Sequence, residues 1–154
     1  MKQIESERDF KQIIAELDDS TQRQLAALFT AHVMTLSVDK RIASGVAIAG
    51  DPDASAAELN TSFKAVKAAT IESHTRCGAE GDWTAQAAYF VARACEAALM
   101  PEVFNQSGRA VQAATAARMA RTARSIDSSE GGDTTEREAQ YQILNEFLSK
   151  RGLT

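Results

Sequence analysis

The chain of 154 residues is poor in proline, cysteine, histidine and tryptophan, with two, two, two and one of them respectively. Its prolines are Pro52 and Pro101. A proline inside a helix costs about 3 kcal/mol, so their scarcity leaves long stretches free to be helical. The two cysteines, Cys77 and Cys95, are too few for a disulfide framework. We therefore expect a fold stabilised by apolar packing in a reducing compartment.

Long hydrophobic runs and excess positive charge are also absent. The net charge is −4 and the sequence pI is about 5.2, so there is no global attraction to nucleic acid or to an anionic membrane. The longest apolar runs, such as "IASGVAIAG" and "TAQAAYFVA", are far shorter than the about 20 residues needed to cross a bilayer. The beginning of the chain, "MKQIESERDF", does not resemble a signal peptide. These features predict a soluble cytoplasmic protein with no membrane contact.

What the chain does contain favours helices. Alanine, which has the highest helix propensity, is abundant, and the length fits a single domain over residues 1–154. Apolar residues recur at helical spacing in six segments, and no stretch indicates a strand. The segments run from Ser6 to Leu17, Thr21 to Ala49, Ala54 to Cys77, Trp83 to Met100, Gly108 to Ile126 and Thr135 to Lys150. The sequence thus predicts an all-α, single-domain helical bundle of about six helices.

Two of these segments carry more specific expectations. The long second segment is expected to kink or divide, either at Gly45 or at the charged run 39–41. The fourth segment is apolar over most of its circumference, which is typical of a central, enclosed helix. Asp82 is its predicted N-cap, and Trp83 is predicted to begin its core face.

The stretch "IESHTRCGAEGDW", residues 71–83, concentrates the residues with reactive side chains. His74 and Cys77 are three residues apart, so a helix would place them on neighbouring turns, where they could share a metal ion. Zinc would need a further protein ligand, for which Cys95 and His32 are the soft candidates. Without that ligand, Cys77 is a small core residue and His74 a favourable charge at a helix end. We expect this structural role, and therefore no resident metal or cofactor.

Residues 50–58, "GDPDASAAE", resemble the opening of a calcium-binding loop, with Asp51 and Asp53 at alternate positions. However, the sixth position is Ala56 where the loop needs glycine, and the twelfth is Ser62 where it needs glutamate. Asp51, Asp53 and Ser55, at alternate positions of this stretch, are therefore predicted to cap a helix.

The remaining search for catalytic motifs finds none. His32 lies among apolar residues of the second segment, which predicts a hydrogen-bonded core histidine. The chain has no glycine-rich phosphate loop, no GxSxG and no Glu-x-x-His pair of a di-iron site. The sequence therefore favours a protein that is not an enzyme.

Arginines recur every three residues on the fifth segment, at Arg118, Arg121 and Arg124, with Arg109 a few turns earlier. This spacing forms a winding ridge on a helix of 3.6 residues per turn. The ridge could contact phosphates. Because no aromatic residues interleave with it, we expect a solvated face that pairs loosely with acidic residues.

Three stretches carry a family resemblance: "QRQLAALFTAHVMTLSVDKRI", "DWTAQAAYFVARACEAAL" and "TTEREAQYQILNEFL". Their order and their apolar positions, over most of residues 20–148, resemble the YjaG-like family of bacterial helical proteins of unknown function. The resemblance implies a helical bundle and carries over no catalytic residue.

The leading functional hypothesis is a non-enzymatic protein that acts through protein–protein contacts, as a homodimer or with another protein partner. It is motivated by the lack of catalytic motifs and by alanine-rich helices with broad apolar faces. One alternative is a metal- or thiol-dependent enzyme or sensor centred on His74 and Cys77. A second alternative is nucleic-acid binding through the ridge from Arg118 to Arg124.

Overall fold

The structure, a computed structural model, describes residues 3–80, 82–101, 108–128 and 133–153, of which 77–80, 126–128 and 133–134 are described by their backbone alone. The described residues form seven α-helices and no strand. The helices are α1 (Glu7–Ala15), α2 (Asp19–Val33), α3 (Lys40–Gly50), α4 (Ala56–Glu80), α5 (Trp83–Leu99), α6 (Arg109–Ser128) and α7 (Asp133–Lys150). The predicted all-α bundle is confirmed, with seven helices instead of six. Among these residues, no helix is long and apolar enough to cross a membrane.

The additional helix arises because the predicted second segment divides in two. A short 3-10 helix, Met34–Leu36, follows α2, and Ser37 is extended with φ −127° and ψ 145°. Asp39 then caps α3, its carboxylate accepting a hydrogen bond of 2.9 Å from the backbone N–H of Arg41. The chain therefore divides just before the charged run at 39–41 and not at Gly45.

Gly45 serves close packing and does not interrupt its helix. A Cβ atom at this position would lie 2.8 Å from Val66 Cγ2, 2.9 Å from Cys95 Sγ and 3.2 Å from Leu99 Cδ1. The missing side chain lets α3 approach α4 and α5 closely.

Helix α5 is central, as predicted, and packs against α2, α3, α4 and α6. Its contact with α6 is built from small residues, since most of the buried side chains of α6 are alanines. The predicted N-cap is confirmed, because Asp82 accepts a hydrogen bond of 2.6 Å from the backbone N–H of Ala85. The core position predicted for Trp83 is wrong: it is 42% exposed, at the first residue of the helix.

The predicted capping role is confirmed for Ser55 at the start of α4, whereas Asp51 forms a turn. Asp51 accepts a hydrogen bond of 2.8 Å from the N–H of Asp53, which forms a turn before α4. Ser55 Oγ accepts from the N–H of Glu58 at 3.1 Å and donates to the carboxylate of Glu58. These reciprocal bonds form a capping box, which accounts for the polar residues without calcium.

Helices α1 and α7 cover the side of the bundle formed by α2 and α6. Leu144, Phe147 and Leu148 of α7 are buried. The ring of Phe10 on α1 packs at 5.7 Å from Phe29 and 5.3 Å from Tyr141, measured between centroids. These contacts join residues near the two ends of the chain in one core.

Candidate functional site

Of the residues predicted as a reactive site, His74 lies at the surface and Cys95 in the core. His74 is exposed on α4, with its ring centroid 5.3 Å from that of Tyr89, and the side chain of Cys77 lies outside the described residues. Cys95 is fully buried and donates a hydrogen bond of 3.8 Å to the carbonyl of Ile42. Burial raises the pKa of the Cys95 thiol to about 12. No three His, Cys, Asp or Glu residues are grouped to hold a metal where side chains are described.

The arginine ridge of α6 is largely turned into the protein. Arg118 donates to Gln140 Oε1 at 2.7 Å and to Glu7 Oε2 at 2.9 Å, and its side chain is 11% exposed. Its guanidinium group also lies 5.2 Å from the ring centroid of Phe10. The predicted solvated face is therefore wrong for Arg118, which ties α6 to α1 and α7. The hypothesis that the ridge binds nucleic acid stays a prediction.

A buried carboxylate forms the centre of a cluster among α2, α6 and α7. Glu136 is 1% exposed, and its Oε2 lies 2.6 Å from Nδ1 of His32. Arg121 Nε donates to the other oxygen at 3.1 Å, and Arg121 Nη2 donates to the backbone carbonyl of His32 at 3.3 Å. A buried charge needs such partners, because desolvation without them costs several kcal/mol. The cluster therefore fixes the imidazole of His32 to the framework of the bundle.

His32 itself is not the core residue that the sequence predicted. Its side chain is 41% exposed and stands at the edge of a groove among α2, α3 and α7. The groove has a volume of about 780 Å³. Its apolar lining consists of Ala27, Leu28, Ala31, Val46, Ala47, Gly50, Ile143 and Phe147, and its polar rim of Gln24, His32, Glu146, Lys150 and Arg151. We call it the α2–α3–α7 groove.

A second surface lies on α5 and α6 and has two adjoining hollows of about 380 and 370 Å³. Both hollows are lined by Phe90, Thr115 and Met119. Trp83 closes one end of this surface, while Arg93 lines the other hollow. We call this surface the α5–α6 face.

The spacing of apolar residues in the sequence marked one side of α5, but it could not show whether that side is buried or forms a surface. Trp83 and Phe90 are seven residues apart, which places them two turns apart on one side of α5. Part of the apolar arc of this helix lines the two hollows. Met119 of α6 is 46% exposed and lines the same hollow as these two residues.

We compared the chain with models of protein families, with curated proteins and with solved structures. None of these comparisons found a match. The resemblance to the YjaG-like family thus stays a prediction, and the function is inferred from the two surfaces.

Proposed function

We propose that this is a non-enzymatic, cytoplasmic protein that acts through protein–protein contacts, and that a second copy of the chain docks on its α5–α6 face. The observation that carries the proposal is the apolar group formed by Trp83, Phe90 and Met119. Trp83 is 42% exposed and Met119 is 46% exposed, although both belong to tightly packed helices. Exposed apolar patches with polar rims mark interaction sites, and tryptophan and methionine are enriched in interfaces.

The charges on this face favour a second copy as the occupant. Arg93 and Glu96 lie on adjacent turns of α5, and both line the same hollow. Within the described part of the chain, Arg93 contacts the neutral side chain of Tyr89, whose hydroxyl is 3.4 Å away, and neither Arg93 nor Glu96 has an ion pair. If α5 packed antiparallel to its symmetry mate, Arg93 of each copy would meet Glu96 of the other. A two-fold interface needs this kind of self-complementarity.

The dimer is tested by light scattering after size-exclusion chromatography at several protein concentrations. We expect a mass of twice 16.6 kDa for the wild type and of one chain for Met119→Glu, because the carboxylate would be desolvated in the interface. The matched control is Ile71→Glu, since Ile71 is 60% exposed on α4, away from this face, and its variant should remain dimeric.

The only tryptophan provides a second readout at the proposed interface. Burial of Trp83 between two copies should shift its fluorescence to shorter wavelength as the concentration rises, and Met119→Glu should abolish the shift. A monomer at all concentrations would contradict docking of a second copy. A dimer that tolerates Met119→Glu would contradict the choice of this face.

A further inference from the structure

A second site follows from the α2–α3–α7 groove, which is separate from the α5–α6 face. We propose that this groove binds a small amphiphilic anion, namely an apolar chain or ring system that carries one carboxylate. Its volume of about 780 Å³ lies in the range of about 300–1,000 Å³ typical of small-molecule pockets. The proposal rests on the apolar lining, the rim charges and the fixed orientation of His32.

The lining provides room for an apolar body. Three alanines and Gly50 contribute little side-chain bulk to the groove between α2, α3 and α7. Leu28 is 44% exposed, although it lies on a helix that otherwise buries most of its apolar residues. Burial of this surface by a ligand would be favourable at about 25 cal/mol per Å².

The rim selects the charge of the ligand. Lys150 and Arg151 lie at the carboxyl end of α7 and contribute two positive charges, whereas Glu146 is the one carboxylate on the rim. Arg151 is held in place, with its guanidinium carbon 4.5 Å from the ring centroid of Phe147 and a hydrogen bond to Gln24. This net positive rim above an apolar lining complements a molecule with a single anionic head.

His32 adds a directed polar group to the same rim. Its Nδ1 is occupied by Glu136, which leaves Nε2 as the ring nitrogen for a ligand. Glu136 itself is buried and also bonded to Arg121, so it orients the imidazole and does not line the groove. Nε2 is therefore placed to contact the polar head of a ligand in the groove.

The test uses isothermal titration calorimetry with octanoate as the probe and octanol as its neutral counterpart, both below aggregation. Octanoate is expected to bind at least about tenfold more tightly than octanol, a difference of about 1.4 kcal/mol. Ala47→Leu fills the groove and Lys150→Gln removes a rim charge; both residues are exposed, so the core is untouched. Each variant should weaken octanoate binding about tenfold, while Met119→Glu on the α5–α6 face should not change it.

Three outcomes would overturn the proposal. These are absence of octanoate binding to the wild type, equal affinity for octanol, and undiminished binding by Ala47→Leu, which would place the probe elsewhere. Thermal melting of each variant confirms that a loss of binding is not a loss of fold. The proposed dimer is measured without this ligand and through Met119, so the two proposals fail independently.

Discussion

Replacing Gly45 with alanine is expected to destabilise the protein, although the same change usually stabilises a helix. Gly45 is buried within α3 where this helix crosses α4 and α5. The added methyl group would lie 2.8 Å from Val66 Cγ2 and 2.9 Å from Cys95 Sγ, both on fully buried side chains. Neither neighbour can turn into solvent, so the helices must separate.

Two opposing effects set the magnitude. Alanine is favoured over glycine inside a helix by about 0.8–1.0 kcal/mol. Overpacking of a filled core typically costs about 1–3 kcal/mol, and two contacts below 3.0 Å correspond to the upper part of that range. We therefore expect a net loss of about 1–2 kcal/mol in the free energy of unfolding. For a chain of this length, that lowers the melting temperature by roughly 2–8 °C.

Urea denaturation measures the effect, with Gly50→Ala as the matched control. Gly50 is the exposed last residue of the same helix, and a Cβ there would meet only Ala27 Cβ at an ordinary 3.5 Å. This control should gain about 0.4–1 kcal/mol through reduced entropy of the unfolded chain. The two glycine-to-alanine changes are thus expected to have opposite signs.

The reasoning would be refuted if Gly45→Ala matched or exceeded the stability of the wild type. The comparison requires that the free energy of unfolding depends on urea concentration with the same slope in each variant, because a different slope would indicate a changed denatured state. Equal gains for both variants would show that α3 can shift without cost, and that Gly45 is not required for close packing.

Two further predictions concern buried groups. Arg121→Met should lower the free energy of unfolding, measured in urea, by about 2–4 kcal/mol, because the buried carboxylate of Glu136 loses its guanidinium partner. The control Lys64→Met, at an exposed residue, should change it by no more than about 0.5 kcal/mol. Equal effects of the two variants would refute a structural role for the Arg121–Glu136 pair. In a Cys77→Ser background, the Cys95 thiol, whose pKa burial raises to about 12, should react with a disulfide reagent at mildly alkaline pH only as fast as the protein opens. Immediate reaction of native protein would contradict its burial.

The fold was predictable from local patterns because helix formation depends on short-range periodicity. The helical spacing of apolar residues predicted a helix from Ser6 to Leu17, where α1 lies, and Asp82 was identified as the N-cap of α5. The number of helices was not predictable with the same certainty. The helix propensities of the residues in "LSVDKRI" are compatible with one continuous helix. The structure shows that the chain divides there and that Asp39 caps a new helix.

The site residues were less predictable because their partners are distant in the sequence. His32 looked like a core residue, yet its neighbours turn it towards a groove and pair it with Glu136, 104 residues away. Arg118 looked solvated, yet it is bonded to Glu7, 111 residues away. No local pattern marks a polar residue whose partner arrives from another helix.

The sequence by itself determined the helical class, most helix ends and the central place of α5, since these depend on composition, capping and periodicity. Only the tertiary structure decided which of several apolar stripes would remain uncovered. The stripe containing Trp83 and Phe90 stays at the surface because α6 supplies mostly alanines beside it. The groove beside His32 stays open because alanines and Gly50 line it. The exposure of a side chain depends on the size of the residues that face it from neighbouring helices, and only the tertiary structure determines which residues those are.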